Sequence, residues 1–304
     1  MHIVDEVAEL DERADGERLP LIVALDGFLD AGNSAALAAR FLAEHAGGGS
    51  VVATFDVDQL HDYRARRPAV TFARDHYEDY DAPRLVVRLL RDVGGAPYLL
   101  LHGPEPDVRW EAFLRSVGEV ITRFNVTVTV GLGSVPMAVP HTRPIAITPH
   151  ANRADLLVTE SPWSGELRVP SSVQALMEIR LGEWGHAAQG FVAHVPHYLA
   201  QLDYPQASIM LLEQVELAAR LTLDLADLKS LAIEREQEIG RYLAANAEVG
   251  DVVNALERQY DAFSEAEQSG MSLLASDEPL PTGEEIGQQF EQFLAGLDEE
   301  SGDE

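Results

Sequence analysis

Hydrophobic residues follow two regimes along the chain. Up to about residue 200, short apolar runs alternate with stretches in which apolar positions recur every three or four residues. Leu21-Ile22-Val23-Ala24-Leu25 is a continuous run, as in a strand covered on both faces, and it ends at Asp26-Gly27. The Ala-rich stretch opened by Asp30-Ala31-Gly32-Asn33-Ser34 predicts a helix to about Ala46. Asp30, Asn33 or Ser34 caps it and Gly47-Gly48-Gly49 stops it. Val51 to Phe55 is a second strand, and Arg84 to Leu90 fits strand or helix equally. Tyr98 to His102 is another buried-type strand, closed by Gly103-Pro104-Glu105-Pro106. Asp107 stands where it could cap a helix whose stripe is Trp110, Phe113, Leu114, Val117 and Ile121. Val126 to Val130, Ala146 to Thr148, Leu156 to Val158 and Phe191 to Val195 read as further strands, and Ser171 or Ser172 caps a helix to about Leu181. This alternation predicts an α/β fold with a largely parallel or mixed sheet between helix layers.

After Pro205 the pattern is helical. Ala207 to Leu221 is one amphipathic segment and Asp224 to about Asn246 a second. Gly250 breaks the run, and Asp251 starts a third with Val252, Leu256, Tyr260 and Phe263 on one stripe, which suggests an antiparallel hairpin. The expected organisation is therefore a core over residues 1–205 and a helical extension over 206–268. A linker, a short helix (Ile286, Phe290, Phe293, Leu294, Leu297) and an acidic tail fill 269–304.

Charge narrows the partners. The chain has 304 residues with 51 acidic and 22 basic side chains, a net charge of −29. That field repels phosphate backbones and anionic lipid, so neither nucleic acid nor a membrane surface is an expected partner. No apolar run reaches the roughly 18 residues of a spanning segment. The acidic N-terminus lacks a basic-then-apolar signal, so a cytoplasmic location is expected. With no cysteine there is no disulfide, thiolate metal site or cysteine nucleophile. Residues 201–304 hold 24 acidic and 5 basic side chains, a net of −19, whereas residues 1–200 hold 27 and 17, a net of −10, and all ten histidines. Lys229 is the single lysine against 21 arginines; an arginine-favouring genome and a salt-adapted surface both account for that.

No phosphate loop of the Gly-x-x-x-x-Gly-Lys type and no Gly-x-Ser-x-Gly elbow occurs. Gly131-Leu132-Gly133-Ser134 lacks the third glycine of a dinucleotide loop and reads as a sheet-edge turn. His194 and His197 flank Pro196 and would face opposite sides of a strand, so no metal site is expected, and no cofactor. Val139-Pro140-His141-Thr142-Arg143-Pro144 is a loop stiffened at both ends. Arg143 there could clamp an anion bidentately, or pair with an internal acid such as Glu105 and lock two loops together. Asp26-Gly27-Phe28-Leu29-Asp30-Ala31-Gly32-Asn33 joins a strand end to a helix start, the edge where open α/β sheets hold ligands. Capping and tight-turn geometry account for the same residues. Asp62-Tyr63-Arg64-Ala65-Arg66-Arg67-Pro68 is the one basic cluster, suited to an intersubunit contact, an anion pocket or a solvated loop.

Taken together, five segments resemble the proteasome assembly chaperone family in its actinobacterial branch. They are Ala24 to Phe28 with Asp30-Ala31-Gly32; Asp62-Tyr63-Arg64 with Arg67-Pro68; Gly103 to Pro106 with Trp110; Val139 to Pro144; and His194 to Ala200 with Tyr204-Pro205. Ser161-Pro162-Trp163-Ser164-Gly165 departs from the Tyr-x-Gly-Pro form common in relatives. The resemblance implies a three-layer, phosphorylase-like α/β core with a mixed sheet and a C-terminal helical extension, and self-association into a homo-oligomer, with a trimer as one arrangement. Eukaryotic relatives help assemble the proteasome α-ring without catalysis, which makes proteasome subunits or another protein the implied partner. The leading expectation is a non-enzymatic, homo-oligomeric interaction protein. The competing one is a small-molecule binder or enzyme at the sheet's carboxyl edge, hydrolase- or phosphorylase-like, or the carboxylate–amine ligase that some bacterial relatives are labelled as. Its catalytic candidates are Asp26, Asp30, Glu105, His141 and Arg143, with His141 as general base and Arg143 as anion clamp. Ligand or interface candidates are Gly27, Gly32, Asn33, Tyr63, Arg64, Arg67, Trp110, His197 and Tyr198.

Overall fold

The structure, a computed structural model, describes residues 1–4, 7, 10, 18–45, 48–157 and 166–268. The expected strand end at Val158, the loop 161–165, part of the glycine stop at 46–47, and the linker, short helix and tail of 269–304 lie outside the described residues.

The main sheet has eight strands: β1 (His2–Ile3), β2 (Pro20–Asp26), β3 (Ser50–Thr54), β6 (Val86–Arg91), β7 (Pro97–Pro104), β8 (Val128–Met137), β9 (Ile147–Ala151) and β10 (Ala188–Pro196). They lie in the order β1-β3-β6-β7-β2-β8-β10-β9. The central four, β7, β2, β8 and β10, run parallel, while β1, β3, β6 and β9 join by antiparallel pairing. Two further strands, β4 (Thr71–Ala73) and β5 (His76–Glu78), form a separate hairpin.

Two hydrophobic cores flank the sheet, and the pleat sorts each strand between them. Ile22 and Ala24 of β2, with Leu100 of β7, face one core together with helices α1 (Ser34–His45) and α4 (Pro205–Ala219). Leu21, Val23 and Leu25, with Leu99 and Leu101, face the other with α2 (Trp110–Phe124) and α3 (Val173–Glu183). The continuous apolar runs of the sequence are thus strands buried on both faces. This is the three-layer α/β fold with a mixed sheet.

Helices α5 (Ala226–Ala245) and α6 (Ala247–Gln268) follow. Leu228 and Ile239 of α5 join the core that holds α1 and α4. Two compact units divide the chain, Met1–Glu257 and Arg258–Glu304. The described part of the second is the last turns of α6.

Several expectations need correction. Leu156 does not begin a strand: Ala154–Leu156 is a 3-10 turn. Gly131 to Ser134 is no turn but the interior of β8. Its glycines leave room for neighbours, since a Cβ on Gly131 would stand 2.6 Å from Gln174 Nε2. Arg84–Leu90 resolves as strand β6. Asp107 does not cap α2; Arg109 holds the N-cap position, in a left-handed conformation with φ of 60° and with no capping hydrogen bond from its side chain. The break between the last helices falls at Asn246, so Gly250 and Asp251 are helical.

A Cβ at Gly240 or at Gly250 would meet nothing within 4 Å. Both positions therefore carry the backbone-entropy disadvantage of glycine with no packing reason for it. Gly240→Ala and Gly250→Ala should each raise the unfolding free energy by about 0.5–1 kcal/mol. The readout is a higher urea midpoint at unchanged slope; a lowered midpoint would show that the helix needs the glycine.

Candidate functional site

Strands β2 and β7 are neighbours whose onward connections take opposite faces: α1 lies in one core and α2 in the other. Adjacent parallel strands that part in this way leave a crevice beyond their carboxyl ends, the usual ligand position in open α/β sheets. Here it receives the segment after β2, from Asp26, and the segment after β7, from Glu105.

The chain fills this position itself. The Glu105 carboxylate accepts from the Phe28 backbone N–H through Oε2 at 3.0 Å and from the Val173 N–H through Oε1 at 2.7 Å. Val173 is the first residue of α3, so the carboxylate occupies the place at a helix start that suits an anion. A Cβ on Gly27 would overlap the Glu105 side chain, so only glycine fits there. The backbone completes the closure, with Glu105 N–H donating to the Asp26 carbonyl at 2.9 Å. The Asp26 side chain remains exposed.

Asp30 is turned inward and only 8% exposed. Its Oδ1 accepts from the Ala35 N–H at 2.6 Å and its Oδ2 from the Ala36 N–H at 3.4 Å, so it caps α1 across an intervening 3-10 turn. Burial, reinforced by the Asp26 and Asp203 charges, pushes its carboxyl up to about 7 although the two amides pull it down. Residue 30 also forms a β-bridge to Ser134 of β8, and Ser134 Oγ donates to the Ala31 carbonyl at 2.7 Å. Gly32 has φ of 69°, and a Cβ there would lie 2.8 Å from Tyr204 Cβ. Its N–H donates to the Ala200 carbonyl at 2.7 Å, and its carbonyl accepts from the Tyr204 N–H at 2.8 Å. Asn33 Nδ2 donates to Asp203 Oδ1 at 2.6 Å. The loop after β2 is thereby fastened to the segment after β10.

The stiff loop after β8 grips the C-terminal helices. The His141 N–H donates to the Tyr198 hydroxyl oxygen at 2.8 Å, and the hydroxyl lies 2.7 Å from His141 Nδ1. The backbone N–H and the ring Nδ1 of His141 thus engage the same oxygen, which joins the two side chains in one hydrogen-bonded pair. Burial lowers the His141 pKa and raises that of Tyr198, in keeping with a neutral pair. Arg143 does not meet Glu105. Its ion-pair partner is Glu257 of α6 at 3.5 Å, and Thr142 Oγ1 donates to the same carboxylate. The locking alternative therefore acts between this loop and α6. The acid beside Glu105 in the sequence is held by another arginine: Arg66 Nη2 lies 2.8 Å from Asp107 Oδ1 and also donates to the Glu105 carbonyl.

The remaining candidates stand apart. Tyr63 donates to Asp58 at 2.6 Å, a bond that pushes its hydroxyl up to about 12. Trp110 Nε1 donates to the Pro106 carbonyl at 2.7 Å while its ring packs on the second core. Arg64 and Arg67 are exposed. His197 is exposed, whereas His194 is buried and 2.8 Å from Thr148 Oγ1. Among the described residues no group of three or more His, Asp or Glu side chains could hold a metal. A cavity of about 140 Å³ lies off this edge, lined among others by Phe55, Gln59, Arg109, Phe113 and Ser116.

Sequence reasoning missed Glu257, Asp203 and Asp107 as partners, because each is paired through the fold. It also missed Gln174, whose buried Nε2 has no hydrogen-bond partner. The glycine that faces Gln174, Gly131, was the available signal.

Fold and edge together define a three-layer α/β protein whose carboxyl-edge loops are tied to one another and to C-terminal helices. The chain belongs to the PAC2 family, whose model matches residues 24–243. Among solved structures it is similar to Rv2714 of Mycobacterium tuberculosis, a protein of unknown function, with 46% identity, a TM-score of 0.84, and 88% of this chain and 90% of that one covered. It is similar also to Rv2125 of the same organism, a proteasome-assembly chaperone homologue, with 28% identity, a TM-score of 0.68, and 77% and 100% covered. PbaB of Pyrococcus furiosus, an archaeal proteasome activator, shares the fold at 13% identity and a TM-score of 0.55, with 76% and 96% covered. No curated protein matches the chain.

Two outcomes follow from the edge. Glu105→Ala strips two amide donors of a charged acceptor and should lower stability by roughly 2–4 kcal/mol in denaturant unfolding; an unchanged midpoint would remove Glu105 from its structural role. Asp30 keeps its proton to higher pH folded than unfolded, so its contribution to stability declines as pH rises from about 4 to about 7 and is level above. Asp30→Asn should therefore lose stability less steeply than the native chain across that window, and parallel pH profiles would refute the shift.

Proposed function

We propose that this chain is a non-enzymatic, self-associating interaction protein of the cytoplasm that serves a protein assembly in the manner of proteasome assembly chaperones. The observation that carries this reading is the filled crevice. Where a doubly wound sheet would admit a ligand, the Glu105 carboxylate takes the two amides, and Gly27 has no room for even a methyl group beside it. The groups that would do chemistry are occupied as well. Asp30 caps a helix, His141 exchanges hydrogen bonds with Tyr198, and Arg143 pairs with Glu257. An imidazole so engaged is a poor general base. The likeness to a proteasome-assembly chaperone homologue supplies the partner class, namely proteasome subunits.

The same geometry weakens the competing reading of a hydrolase, phosphorylase or ligase at this edge, because four of the five candidate side chains, Asp30, Glu105, His141 and Arg143, are already held by partners within the chain. The test is retention of purified proteasome α-subunits by the immobilised full-length chain, followed by the rate of ring assembly. Retention with faster assembly is the expected result. No retention together with no effect on assembly would overturn the reading.

A further inference from the structure

The cavity of about 140 Å³ beside the start of α2 has an apolar floor and a charged rim. The floor is Phe55, which follows β3, with Leu60 and Phe113, all three buried members of the second core. The rings of Phe55 and Phe113 stand 4.9 Å apart, tilted by 57°. One wall is a stripe of α2: residues 109, 112, 113 and 116 follow helical spacing and all line the cavity. Ala112 on that stripe is too small to fill the space. A cavity of this volume takes an apolar group about the size of a benzene ring.

The rim carries both signs of charge. Arg109 Nη1 donates to Gln59 Oε1, and Gln59 Nε2 donates to Asp56 Oδ2 at 2.6 Å. The amide thus stands between a guanidinium and a carboxylate, both lining the cavity and neither with an ion-pair partner among the described residues. In a chain with 51 acidic against 22 basic side chains, a guanidinium met only by a neutral amide keeps its charge and most of its five donors for another group. Ser116 lines the same volume, and its hydroxyl has no hydrogen-bond partner among the described residues. The backbone at Arg109 has φ of 60°, a conformation that disfavours every side chain and suits glycine. Its carbonyl accepts from the Ala112 and Phe113 N–H groups at 3.0 Å each, which any residue could do. What arginine adds there is the guanidinium at the cavity.

We propose that this cavity binds a small zwitterion with an apolar body, namely an α-amino acid with a branched or aromatic side chain. The side chain enters between Phe55, Leu60 and Phe113. The carboxylate takes Arg109 and Ser116, and the ammonium takes Asp56. A plain carboxylate would be repelled by Asp56 and a plain amine by Arg109, so only a ligand with both charges is attracted by the whole rim. The site stands apart from the tied loops of the crevice and is independent of the interaction role proposed above.

The test is calorimetric titration of the full chain with L-leucine, L-isoleucine and L-phenylalanine, checked by the rise in melting temperature that a bound ligand produces. At least one of the three should bind. Its amide, which lacks the carboxylate, and its deaminated acid, which lacks the ammonium, should each bind on the order of 10-fold more weakly. Arg109→Gly should weaken the amino acid on the order of 10- to 100-fold, with a urea midpoint no lower than native because glycine accepts the backbone. Ala112→Leu should fill the cavity and lose binding while the fold is kept. No binding of any of the three amino acids overturns the site. So does a deaminated acid that binds as tightly as its parent, or native affinity in either variant.

Discussion

The carboxylate of Glu105 is the constraint on which the carboxyl edge depends. It stands between the turn after β2 and the first turn of α3, and it satisfies one backbone N–H of each. Both donors would otherwise be orphans at a sheet edge and a helix start. One side chain thereby sets the approach of a strand, a turn and a helix that belong to different parts of the chain. Gly27 is its corollary, because any larger residue would push the turn off the carboxylate. The arrangement resembles a ligand site in which the ligand is a residue of the protein.

The other edge loops repeat the device. Gly32 donates to Ala200 and accepts from Tyr204, Asn33 holds Asp203, and His141 holds Tyr198. Each bond ties a loop after one strand to the segment after another. Thr142 and Arg143 extend the ties to Glu257, so the C-terminal helices are fastened to the same edge. Polar groups engaged in this way hold the edge loops in one arrangement. Rigidity is what a protein partner needs from a docking surface, because a preordered face loses less entropy on binding.

The layers of this fold were legible from periodicity. Leu21 to Leu25 and Tyr98 to Leu101 read as strands buried on both faces and the stripe from Trp110 to Ile121 as a helix buried on one, and the two cores show both. The errors arose where a residue's role is set from a distance. Asp107 looks like a helix cap from its neighbours, but Arg66 claims it across 41 positions. Gly131 to Ser134 looks like a turn, yet its glycines answer to Gln174 and to Leu29. Leu156 is apolar enough for a strand, but the local chain closes into a 3-10 turn at Ala154 to Leu156. At the edge, the candidate residues were visible as types and as a set. Their engagement was not, since Glu257 and Asp203 become partners only through the fold.

Charge constrains how such a chain can assemble. A net charge of −29 makes two copies repel at long range, yet at physiological salt that repulsion is screened within about 8 Å. Contacts that form with a protein partner on such a surface act within this length, which favours desolvated apolar area over diffuse electrostatics. Exposed cations such as Arg64 and Arg67 add little to such a contact, since exposed ion pairs contribute roughly 0–1 kcal/mol each. Their charge nonetheless lowers the repulsion that an acidic partner meets at this stretch relative to the acidic C-terminal helices.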